Sequence, residues 1–143
     1  MGEVSPEVAE KVRKSFAAQS LMHTFGAELL RVEAGRVEIA APILATALQQ
    51  HGYAHAGLTF ALGDSAAGYA ALTVMPAEAE VLTVEIKINL LAPAAGDRLV
   101  ATGHVVKAGR RIVVVKAEVS ALQDGAARAV AILQGTMIPV TAG

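Results

Sequence analysis

Between Ala54 and Val74 nearly every residue is apolar or small, yet one carboxylate, Asp64, stands in the middle. An acid in apolar surroundings is costly unless it is hydrogen-bonded or paired. Asp64 is therefore either held by a neighbour such as Ser65, a tyrosine or backbone amides, or it does chemistry. The same run opens with "HAG" at His55–Gly57. The first amides of a helix lack partners within it and carry a partial positive charge. Ala56 and Gly57 have nothing bulky to stop a carbonyl oxygen from approaching those N–H groups. Helix-start amides plus a carboxylate supply an oxyanion site and a general base or nucleophile, which is the minimum for acyl transfer.

Spacing constrains how these groups can cooperate. Ala56 and Asp64 are eight residues apart, about 12 Å along a helix, whereas one reacting carbonyl needs both within about 3 Å. Two copies related by a two-fold axis satisfy both demands, the amides of one chain facing Asp64 of the other. The residues thus call for a dimer with two composite sites.

Other chemistries fit less well. "GDSAAG" approaches the G-x-S-x-G nucleophile elbow, but Gly68 falls one residue late and Ser65 lies within the apolar run, read here as helix. His51 and His55 have the i, i+4 spacing of metal ligands, but Gly52 stands where H-E-x-x-H needs its glutamate, so no metal is expected. His23 and His104 read as structural. Cysteine is absent, which excludes disulfides and a thiolate nucleophile. The net charge is −1 with no basic run, so nucleic acid is not an expected partner. A membrane span through Ala54–Val74 would place Asp64 near the bilayer midplane, at about 2.5–3.5 kcal/mol. The charged, amphipathic N-terminus has no signal-peptide core, which points to the cytoplasm.

The elements that must position Asp64 are legible in outline. The 143 residues suit one domain, 1–143, with an N-terminal helix within 1–20 preceding the core. Ser5-Pro6-Glu7 is a helix start, and Val8, Val12 and Phe16 extend an apolar stripe to about Ala18. The chain turns near Leu21–Phe25, and "AELLRV" and "RVEIAAP" flank a hairpin turn at Gly35. Residues 42–53 form a loop, and Ala56 to about Val74 the long helix, closed by Met75-Pro76. Four Val/Ile/Thr-rich strands follow, joined by "APAAGD", "GR" and "QDG", short joints that favour antiparallel neighbours. In the first of them Val84, Ile86 and Ile88 alternate with Thr83, Glu85 and Lys87. A helix apolar round most of its circumference must be covered on all sides. The expected fold is α+β, a long central helix wrapped by a curved antiparallel sheet of about six strands.

At this point the sequence resembles the hotdog-fold acyl-CoA thioesterases, in particular their PaaI-type (phenylacetate-pathway) branch. "HAGLTFALGD" matches the family's H-G-G…L-A-D spacing at His55, Leu62 and Asp64, and "LTVEIKINLLAPAAGD" and "GRRIVVVKAEV" resemble the strands that follow. The resemblance implies thioester hydrolysis without a cofactor at the interface of a homodimer, which often pairs into a dimer of dimers. It implies that Asp64 is the catalytic carboxylate and Ala56, beside Gly57, the polarising amide. His55 heads the turn, Gln49 falls where an amide side chain approaches the thioester, and Thr83 matches a hydroxyl that positions water. Two positions depart from the pattern, Ala56 for the first Gly and Gly63 for Ala; Gly63 is suited to close approach of two central helices. Arg110, Arg111 and Lys87 are candidates for the phosphates of CoA. The rival readings are a non-catalytic acyl-CoA-binding module and an enoyl-CoA hydratase or dehydratase on the same fold.

Overall fold

Ser5 lies in extended conformation and accepts a hydrogen bond from the Val8 N–H, and Pro6 opens α1 (Pro6–Ala17) where no N–H is needed. The computed structural model describes residues 2–141. Where the sequence indicates only a turn, Ser20–Phe25 winds into a short helix, α2, closed by Gly26 at φ +66°. A glycine tolerates this left-handed stop without a Cβ clash. The hairpin of β1 (Glu28–Glu33) and β2 (Arg36–Pro42) turns at Gly35 as expected. The following loop contains a short 3-10 turn, Ala45–Ala47.

The long helix α3 runs Ala56–Leu72, two residues short of the expected end. Thr73 stops it. Its hydroxyl donates to the Ala70 carbonyl at 2.6 Å and accepts from the Gly35 N–H at 2.7 Å, tying the helix end to the hairpin turn. No helix among the described residues is long and apolar enough to cross a membrane.

The four later strands are β3 (Ala79–Leu90), β4 (Arg98–Ala108), β5 (Val113–Gln123) and β6 (Ala126–Thr141). With β1 and β2 they form one antiparallel sheet in the order β1-β2-β4-β5-β6-β3, wrapped on α3. The fold is the α+β architecture expected from the sequence. One expectation fails. The joint between β3 and β4 does not make them neighbours; β3 pairs with β6 at the far edge. Residues 91–97 cross three strand spacings, about 14 Å, which seven residues reach easily at about 3.3 Å each. A joint short enough for a hairpin is also long enough to cross.

The sheet approaches α3 closely because glycines permit it. A Cβ on Gly103 of β4 would run into the Ala66 carbonyl, and one on Gly63 of α3 would lie 2.8 Å from Leu133 Cδ1 of β6. Gly63 thus makes room for the sheet, not for a second central helix as the sequence suggested. Leu58, Leu62, Ala66 and Ala70 are buried against the strands, as are Val113, Val115, Ala117 and Val119, every second residue of β5. The opposite face of α3 stays open over its first half, at Gly57, Phe60, Ala61 and Asp64.

A bulge corrects the alternation read in β3. The register runs Thr83 opposite Met137 and then Glu85 opposite Thr136, so Val84 is an extra residue. A bulge of this kind reverses which side chains face the core. Thr83 therefore shares the helix side with Ile86 and Ile88, and Val84 is left 57% exposed.

The Gly103 contact makes a stability prediction. Gly103→Ala forces backbone atoms of β4 and α3 apart and should cost about 1–3 kcal/mol or more, read as a lowered urea midpoint. An unchanged midpoint would mean that helix and sheet are not packed this closely.

Candidate active site

His55 ends the loop in extended conformation (φ −61°, ψ 141°) and caps α3: its Nδ1 accepts the Gly57 N–H at 2.7 Å. That bond changes the expected oxyanion pair. The Gly57 amide is occupied by the cap, and the Leu58 N–H donates to the His55 carbonyl at 3.0 Å. Among the described residues the Ala56 N–H has no such partner. One amide, not two, is free at the helix start.

Gln49 is held by the same loop. Its Oε1 accepts from the backbone N–H groups of His51 at 2.6 Å and Tyr53 at 3.1 Å. Because backbone amides only donate, the atom facing them is oxygen, and the Nε2 donors are left over. Ala56 and Gln49 line one groove of about 480 Å³ with Tyr53, Leu90, Leu91 and Pro93.

Asp64 lies two turns further along α3, half-buried, with Oδ1 accepting from the Thr83 hydroxyl at 2.8 Å. The bulge at Val84 makes this bond available by turning Thr83 toward the helix. Thr83 Oγ1 also lies 3.1 Å from the Met137 sulfur. Burial pushes the Asp64 carboxyl above its ordinary value, and the Thr83 hydrogen bond, which favours the ionised form, offsets part of that. The result is a carboxylate with one oxygen held and a raised proton affinity. It can take a proton from water or attack a carbonyl carbon.

A smaller cavity of about 260 Å³ adjoins Asp64, walled by Thr83, Ser65 and Gly68, and by Ser15 and Gln19 from the N-terminal segment. The Tyr69 hydroxyl fastens that segment, lying 3.0 Å from Ser15 Oγ and accepting from Gln19 Nε2 at 2.6 Å. Sequence reasoning missed these three residues. The contacts join positions at least fifty apart, and no local spacing announces them.

The remaining candidates fall elsewhere. Arg110 and Arg111 are exposed in the β4–β5 turn, and Lys87 lies on the outer sheet face beside Lys116 and Glu118, across the sheet from Asp64. The structure does not bring these cations to the carboxylate within one chain. His51 is exposed in the loop, and among the described residues no three His, Cys, Asp or Glu side chains converge as a metal site would require. His23 bonds the Ala17 carbonyl, and His104 faces away from α3 between Arg36 and Lys116.

Comparison with known proteins locates this arrangement. Residues 51–127 match the family model described as the thioesterase superfamily, a span holding His55, Ala56, Asp64 and Thr83 but not Gln49. A provisionally assigned esterase of Saccharolobus solfataricus is 30% identical over 101 residues, 71% of each chain. A thioesterase family protein from Silicibacter pomeroyi is 44% identical, superposes with a TM-score of 0.92, and the match covers 94% of this chain and 99% of that one. The PaaI protein from the phenylacetic acid degradation operon of E. coli is 22% identical with a TM-score of 0.85, over 96% of both chains, and shares the fold.

The raised proton affinity of Asp64 has a sign that stability measurements can read. The folded state holds this proton more tightly than the unfolded chain does. Stability from this group is therefore lost as pH rises from the ordinary carboxylate value through the raised one. Asp64→Asn, whose oxygen still accepts from Thr83, should be more stable than wild type at neutral pH, and the difference should vanish in acid. A destabilised variant at neutral pH would show that the ionised carboxylate is held by more than Thr83.

Proposed function

The chain belongs to the thioesterase superfamily, and from that premise we propose that it hydrolyses an acyl-CoA thioester to the free acid and CoA at a site shared by two copies of the chain. The observation that carries this reading is the open face of α3. Ala56, Phe60 and Asp64 follow one another at intervals of four and so lie along one side of the helix. The free N–H is at one end, the half-buried carboxylate at the other, and none of the described residues covers the face between.

A second copy supplies the cover. Two α3 helices running antiparallel about an axis near Phe60, midway between Ala56 and Asp64, bring the amide of each to the carboxylate of the other. The adjoining β3 is an edge strand whose Leu82 is 54% exposed, an apolar margin suited to the same contact. Such a dimer buries Asp64 further. Pairing of dimers is compatible with this arrangement and is not required by it.

The chemistry then follows. The thioester carbonyl oxygen accepts from the Ala56 N–H, with a Gln49 Nε2 donor beside it, so charge developing on that oxygen is met by fixed dipoles. His55 holds the helix start in shape. On the opposite side, Thr83 steadies Asp64. In one route Asp64 removes a proton as water attacks the carbonyl carbon; in the other it attacks directly and water opens the resulting anhydride. Either way the C–S bond breaks and the CoA sulfur takes up the proton. No cofactor enters the scheme, and Arg110 and Arg111 are the exposed cations offered to the CoA phosphates.

The test separates hydrolysis from its rivals and the composite site from a single-chain one. Thiol release from acyl-CoA reports hydrolysis, whereas a binding module or a hydratase releases none. Asp64→Asn should lower the rate by about 10²–10⁴. Ala56→Pro deletes only the free N–H, and His55 already has the extended conformation that a following proline requires. Mixed after verified subunit exchange, the two inactive variants should regain about half the wild-type activity per heterodimer, because one of its two sites is intact. Verified heterodimers as inactive as either parent would place both groups on one chain.

A further inference from the structure

Gly68 sits one helical turn beyond Asp64, buried, in the interior of α3. A glycine there weakens the helix relative to alanine, so packing ought to explain it. It does not. A Cβ on Gly68 would find only Met137 Cε, at 3.9 Å, an ordinary contact. The other close-packed glycines differ: Gly63 would strike Leu133 Cδ1 at 2.8 Å, and Gly103 the Ala66 backbone. Gly68 itself lines the cavity of about 260 Å³ beside Asp64, and a side chain there would meet no tight neighbour.

We infer that Gly68 sets the size of the acyl group this site accepts, leaving room next to the reacting carbonyl for a branched or cyclic acyl group. The inference rests on the hydrolysis proposed above. With Asp64 at the carbonyl, one substituent of that carbon runs into the cavity and the other runs away from it. CoA carries a nucleotide too large for the cavity, so its arm takes the wider groove beside Ala56, and the acyl group takes the smaller space. The cavity is walled largely by polar side chains, with Val81 among them, and by size alone it exceeds the ~150 Å³ that holds benzene, so a ring or branched group of that order fits. The opposite wall is fixed: Ser15 and Gln19 are fastened to Tyr69, and Lys11 Nζ donates to the Ala77 carbonyl at 2.8 Å. A wall that cannot retreat makes the Gly68 side decisive.

Gly68→Ala tests this with two readouts of opposite sense. The melting temperature should rise by about 2–5 °C, because helix propensity improves without a clash. The ratio of kcat/KM for phenylacetyl-CoA or isobutyryl-CoA to that for acetyl-CoA should fall on the order of tenfold, as the added methyl crowds groups next to the carbonyl. Gly68→Ser, slightly larger, should lower the ratio further. An unchanged ratio, or a lowered melting temperature with all substrates equally affected, would overturn the inference and leave the hydrolytic reading standing. Failure of the wild-type protein to release thiol from any of the three would overturn both.

Discussion

The hydrogen bond between Thr83 and Asp64 depends on a single bulge in β3. Were Val84 held in regular alternation instead of bulged, the strand would present Thr83 to the outer face, and the carboxylate would lose that partner. An unpartnered half-buried acid is driven toward its neutral form, in which it is neither base nor nucleophile. The bond restrains that drift without abolishing it. The proton affinity stays raised, because burial outweighs the hydrogen bond. A local irregularity in the sheet thus tunes a group on the helix.

At the other end of the open face the control is by subtraction. A helix start offers several amides, and a site open to all of them would bind any anion. His55 spends its ring nitrogen on Gly57, and its carbonyl engages Leu58, so the Ala56 amide is the one left. The Gln49 side chain is disciplined the same way, its oxygen claimed by two loop amides. Each element of the site is made specific by a neighbour that removes its alternatives.

Much of this was legible in the residues. Asp64 in an apolar run, the small residues after His55 and the Ser5-Pro6 start are local signals, and local physics governs them. The membership of β1 through β6 in one sheet followed from composition and from the need to cover α3. What could not be read depends on register and on distant contact. The bulge is invisible in "TVEIKI", because perfect alternation and alternation with one residue skipped use the same residue types. Pairing of β3 with β6 is set by how the helix is enclosed, not by the joint after β3. The Tyr69 cluster joins segments that no periodicity connects, and the role of Gly63 emerged only against Leu133.

The strand order carries a consequence for the folding reaction. β3 finds its partner only in β6, about forty residues later in the chain, and β2 finds β4 only after α3 and β3 have been passed over. Closing such long loops costs entropy before any contact repays it, so folding is governed by non-local encounters and is slow for a chain of this size. Until β6 arrives, β3 has two unpaired edges, with Leu82 and Val84 among its side chains. That interval is when the chain is most exposed to misassociation. The same strand therefore meets two physical demands, the geometry that aims Thr83 at the helix and the solubility of a strand that waits for its neighbour.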